Sequence, residues 1–113
     1  MPQLTVRGID ISVMKAVSAA LLEELAAICE CGTDNFTIDC LLTASVFDGK
    51  KVDTFPFVEI AWFERGTPTR DRVADAVARH VRSAGVAEVE IAFKVYREDA
   101  YYINGISCAP PNA

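Results

Sequence analysis

The chain is short of the features that announce a functional class. No apolar run approaches the roughly 18 to 20 residues that a membrane-spanning helix needs, and the greasiest stretch, about Val13 to Cys29, is interrupted by Lys15, Glu23 and Glu24. The basic flank and apolar centre of a secretory signal are missing, so a cytoplasmic location is expected, with no membrane partner. Basic charge is scarce too: 11 Lys and Arg against 16 Asp and Glu leave a formal net charge of −5. That is the wrong sign for neutralising phosphates, and no nucleic-acid partner is expected. There is a single histidine, His80, far from the four cysteines Cys29, Cys31, Cys40 and Cys108. Those cysteines have neither the density of a disulfide scaffold nor the spacing of a zinc-gripping pair, so they read as reduced thiols. Neither a metal nor any other cofactor is expected.

What is present fits one domain over residues 1–113. Hydrophobic residues make up 51% of the chain and charged residues 24%, enough to hide roughly two-thirds of the unfolded surface without covalent staples. Leu4 and Val6 alternate with Gln3, Thr5 and Arg7 as in a half-buried strand that Gly8 ends. A helix should follow, with Asp10 or Ser12 as cap, a stripe of Val13, Val17, Leu21, Leu25 and Ile28, and Gly32 as its left-handed stop. Alternation resumes from Phe36 to Phe47 and predicts one long strand. Asp48-Gly49 marks a turn, and another strand runs from about Phe57 to Glu64. Thr67-Pro68 opens a second helix striped by Val73, Val77, Val81 and Ala84 and closed by Gly85. Val89, Ile91, Phe93 and Val95 define the last long strand, and Asn104-Gly105 allows a short terminal hairpin.

The order is an α+β pattern: a strand-helix-strand unit stated twice. Two helices with one apolar stripe each are packed most economically on one face of a four-stranded mixed sheet. The other face would show Thr5, Arg7, Asp39, Thr43, Glu59, Glu90 and Lys94, mixed with Phe57 and Phe63. Such a face is either solvated or lines a wet interface between subunits.

Pro2 leads directly into the first strand. If Met1 is removed, Pro2 presents a secondary amine anchored by a strand, able to act as a base or nucleophile where apolar walls or cations favour its neutral form. A retained Met1 converts it into an unreactive peptide nitrogen.

Over roughly Met1 to Gly105 the chain resembles the tautomerase superfamily, which includes 4-oxalocrotonate tautomerase and macrophage migration inhibitory factor (MIF). It is most similar to an uncharacterised bacterial branch of that superfamily. The resemblance is carried by Met1-Pro2-Gln3-Leu4-Thr5-Val6-Arg7-Gly8, by Phe47-Asp48-Gly49-Lys50, and by the run Pro56 to Gly66, PFVEIAWFERG. It implies a MIF-like fold of two β-α-β units, with three copies closing into a homotrimer around an inner barrel of sheets. It also implies a small anionic keto or enol molecule as ligand, with Pro2 inheriting the role of general base. The helix-end lysine of MIF falls near Thr33, and its late-strand tyrosine and asparagine near Glu90 and Ala92. A carboxylate therefore stands where a neutral donor would.

Tautomerase chemistry also needs a cation to hold a substrate carboxylate and steady the enolate. Arg65, at a strand end just before a helix start, is the first candidate; its alternative is an ion pair with Glu64, Asp71 or a neighbouring subunit. Arg7 could instead lie in an intersubunit face opposite Asp39 or Glu59, and Arg70 in a solvated first helical turn. Tyr101 and Tyr102 could cover a pocket or simply pack the tail. Trp62 reads as core or interface, His80 as a partly buried structural residue, and Cys40 as a small hydrophobe. Two rivals stand beside the catalytic reading: a non-catalytic oligomeric binding or interaction module of the same fold, and a monomeric ferredoxin-like domain with an exposed sheet.

Overall fold

The computed structural model describes residues 2–111. Met1, whose retention or removal decides the chemistry of Pro2, lies outside the described residues. Strand β1 (Gln3–Arg7) leads into helix α1 (Ile11–Cys29), and the chain returns through a 3-10 turn to β2 (Thr37–Cys40). Strands β3 (Ser45–Phe47) and β4 (Lys50–Val52) form a hairpin, followed by β5 (Phe57–Phe63), helix α2 (Thr67–Ser83) and β6 (Glu90–Tyr96). A second small hairpin joins β7 (Tyr102–Ile103) to β8 (Ile106–Ser107). No described helix is long and apolar enough to cross a membrane.

The main sheet has the order β2-β1-β5-β6. Pairing is parallel for β1 with β2 and for β5 with β6, and antiparallel for β1 with β5 at the centre. This is the mixed four-stranded α+β sheet of two β-α-β units that the sequence predicts. Directly opposed residues share a face, so the register places Leu4, Val6, Val58, Ile60, Trp62, Ile38 and Cys40 on one side and Gln3, Thr5, Arg7, Asp39, Phe57, Glu59, Glu90 and Lys94 on the other. The first set packs under the helices against Met14, Leu21, Leu25, Val73, Val77 and Val81. Both helices therefore cover one face, and the charged face is left open.

Three local expectations are corrected. The run from Phe36 to Phe47 is two strands rather than one. Leu41 donates the last rung to the Val6 carbonyl at 2.7 Å, and beyond it β1 has ended, so the edge strand has nothing left to pair with. Helix α1 is stopped by Glu30 at φ 55, while Gly32 sits at φ −81 before the 3-10 turn. The left-handed residue must come where the last carbonyls need closing; the Glu30 and Cys31 amides reach those of Ala27 and Ala26. Ala84 is the exposed C-cap of α2, not part of its stripe, where Ala76 is buried instead. As expected, Asp10 caps α1 by accepting from the Ser12 amide at 2.8 Å, and Pro68 sits in the first turn of α2.

Candidate active site

Pro2 precedes the first paired position of β1. Its carbonyl accepts from the Thr37 amide at 3.2 Å, and its ring is fully buried. Gln3 faces Ala61 across the central pairing, so one step back Pro2 comes beside Trp62, on the helix-covered side. Trp62 is 1% exposed and packs against Phe93 with ring centroids 4.9 Å apart and planes tilted by 37°, in the core, one of the two places the sequence suggests. Its Nε1 has no hydrogen-bond partner among the described residues.

Arg65 lies at the same end of the sheet and on the same side. Its guanidinium is 5.7 Å from the Trp62 ring centroid, and its Nη1 donates to the Cys29 carbonyl at 3.4 Å, at the C-terminus of α1. A cation there complements the helix dipole. Glu64 does not take Arg65's side chain; one of its oxygens accepts the Arg65 and Gly66 amides, and the other takes Arg70 at 3.1 Å. Arg70 also donates to the Thr67 hydroxyl. Burial pushes the Cys29 thiol up, against the opposing pull of Arg65 and Arg72.

Tyr101 reaches the same end from the open side, packing edge-on against Phe63 at 4.9 Å and against Tyr96 at 5.3 Å. Tyr96, which the sequence alone did not single out, opposes Phe63 on the open face, and that pairing needed the β5–β6 register to read. Arg7 stands apart. It opposes Phe57 at the far end of β1, about 17 Å of strand from Pro2 at the usual rise per residue. Within one chain, then, the fold gathers Pro2, Arg65 and Tyr101 at one end, ties Arg70 to Glu64, and leaves Arg7 at the other end. Glu90 also lies at Arg7's end, paired with Phe57.

Among the described residues no group of three His, Cys, Asp or Glu side chains is placed to hold a metal, and all four cysteines are free thiols. Burial, and secondarily Asp39, raises the Cys40 thiol. His80 is partly buried and meets Glu24 at 2.9 Å.

Residues 1–107 match the family model described as "Domain of unknown function (DUF1904)". Among solved structures, a DUF1904 domain from Sebaldella termitidis is 34% identical and superposes with a TM-score of 0.86, covering 95% of this chain and 99% of that one. A protein of unknown function from Vibrio cholerae is 24% identical, with a TM-score of 0.82 over 94% of this chain and 86% of that one. A fused 4-OT, a wild-type symmetric trimer, is 14% identical and scores 0.72 over 94% and 95%. The last two likenesses are of fold alone. No curated protein matches the chain.

Proposed function

The chain belongs to the DUF1904 family, a branch with the tautomerase fold, and on that premise we propose that it moves a proton between carbon and oxygen of a small keto or enol carboxylate. Pro2, freed of Met1, is the base. Its nitrogen takes the enol hydroxyl proton and returns it to carbon, and Arg65 holds the substrate carboxylate with the donors not engaged by Cys29. Tyr101 closes the same end from the open face. Arg70 is a weaker contributor, since Glu64 already neutralises it, and Arg7 would reach a Pro2 site only from a neighbouring copy. The reading includes a homotrimer, the assembly of the fused 4-OT, in which the open sheet faces of this chain turn inward.

The observation that carries this reading is the placement of Pro2: buried at the head of a central strand, one step along the register from the Gln3–Ala61 pair and so beside Trp62, over which an arginine lies. Apolar walls disfavour a protonated amine and keep the base free. One observation favours the second reading, a non-catalytic oligomeric binding module: the Pro2 ring is buried in the single chain and Arg65 already has a partner.

Intact mass first establishes whether Pro2 is the leading residue. An ultraviolet assay of enol–keto exchange with phenylpyruvate and 2-hydroxymuconate then compares the protein with Pro2→Ala. General-base catalysis predicts a loss of about a hundredfold or more. An unchanged rate removes Pro2 from the chemistry.

A further inference from the structure

At the end of the sheet remote from Pro2, an open pocket of about 390 Å³ is lined by Arg7, Ser45, Phe55, Phe57 and Glu90. Three neighbouring strands build its floor, because Arg7 opposes Phe57 and Phe57 opposes Glu90, all on the helix-free face. The guanidinium of Arg7 lies 4.9 Å from the Phe57 ring centroid. A cation–π contact of this kind anchors an arginine without using its N–H donors, which stay available for a ligand.

Neither Arg7 nor Glu90 joins an ion pair among the described residues, although opposite charges so placed have every electrostatic reason to meet. The Phe57 position separates them. On the pocket's remaining side the Thr54 hydroxyl lies 2.6 Å from those of Thr43 and Ser45, so the Ser45 wall is held in place. Phe55 leaves 48% of its surface exposed, an apolar wall open to a ligand.

The charges select the ligand. A bare anion would bind Arg7 but would also face Glu90 and, two positions along β5 from Phe57, Glu59. An amine alone would suit the carboxylates and be repelled by Arg7. A molecule carrying both charges and an apolar body satisfies each element. We propose that this pocket binds a small zwitterionic α-amino acid with an aromatic or apolar side chain. Its carboxylate pairs with Arg7, its ammonium with Glu90, and its side chain rests on Phe55. All five lining residues come from one chain, on the face that the proposed trimer turns inward, and the site goes beyond the Pro2 chemistry, on which it does not depend.

Isothermal titration with L-phenylalanine, phenylacetate and 2-phenylethylamine separates the possibilities. The expected result is saturable binding of phenylalanine, with each half-ligand at least about tenfold weaker, since each loses a charge-assisted hydrogen bond. Arg7→Ala and Glu90→Gln should each weaken phenylalanine by a similar factor, Arg7→Lys should only partly restore it, and Arg65→Ala should leave it unchanged. Circular dichroism establishes that each variant is folded. Absence of saturable binding, equal binding of phenylacetate, or full affinity in folded Arg7→Ala or Glu90→Gln overturns the assignment. Enol–keto exchange is read separately, so failure here leaves the Pro2 proposal standing and its failure leaves this one.

Discussion

Glu24 shows how a single carboxylate links two helices. One oxygen meets His80 Nε2 at 2.9 Å and Arg79 Nη1 at 3.3 Å, and the other takes Arg79 Nη2, while Arg79 also pairs with Asp75 one turn earlier. The Arg79 hydrogen bonds, and then that of His80, hold Glu24 below its ordinary value of 4.5. A carboxyl lowered in the folded state stabilises fully above its unfolded value, and the gain is lost as pH falls through the folded value. Urea titrations of the protein and of Glu24→Gln should therefore show a stability gap near neutral pH that closes in acid. A gap that stays constant to pH 3 would contradict this. Sequence placed His80 as structural without showing its partner, because Glu24 lies 56 residues away. Arg65 presents the same problem: its position at a strand end was legible, but the Cys29 carbonyl that receives it was not, and Glu64 seemed the nearer choice.

At the level of elements, turn chemistry was the most readable signal. Asp48-Gly49 and Asn104-Gly105 all take positive φ, as two-residue hairpin turns require. The break between β2 and β3 was not readable. Leu42, Ala44 and Val46 continue the alternation, and what fails is the partner, whose length is set elsewhere in the chain. Gly8 marks that limit. It lies at φ 74, and a Cβ there would stand 2.4 Å from the Phe55 carbonyl oxygen and 2.6 Å from that of Thr54. The chain entering β5 crosses directly over it. Gly8→Ala should cost about 2 kcal/mol or more, from backbone strain and the clash together. A denaturation midpoint unchanged by that substitution would show that the crossing segment can yield.

For the molecule as a whole, exposed apolar surface is the feature to explain. Leu42 is 95% exposed, Phe47 73% and Ile106 72%, all in or beside the two hairpins. The radius of gyration is 15.7 Å, against about 13 Å for a compact domain of this length. Projecting arms, free edges at β2 and β6, and an open mixed face suit a chain that completes itself by assembly. The open face was legible from alternation alone, because its parity survives any error in strand ends. Whether another copy covers it was not, since assembly leaves no periodicity in a sequence. The central claim, that Pro2 is a free and reactive amine, is tested most directly by covalent capture. The protein is treated with an acetylenic 2-oxo acid, whose conjugated alkyne adds to a neutral amine, and the adduct is mapped by peptide mass spectrometry. The account predicts one adduct per chain, on the nitrogen of Pro2. Modification confined to cysteines, or none at all, would contradict it.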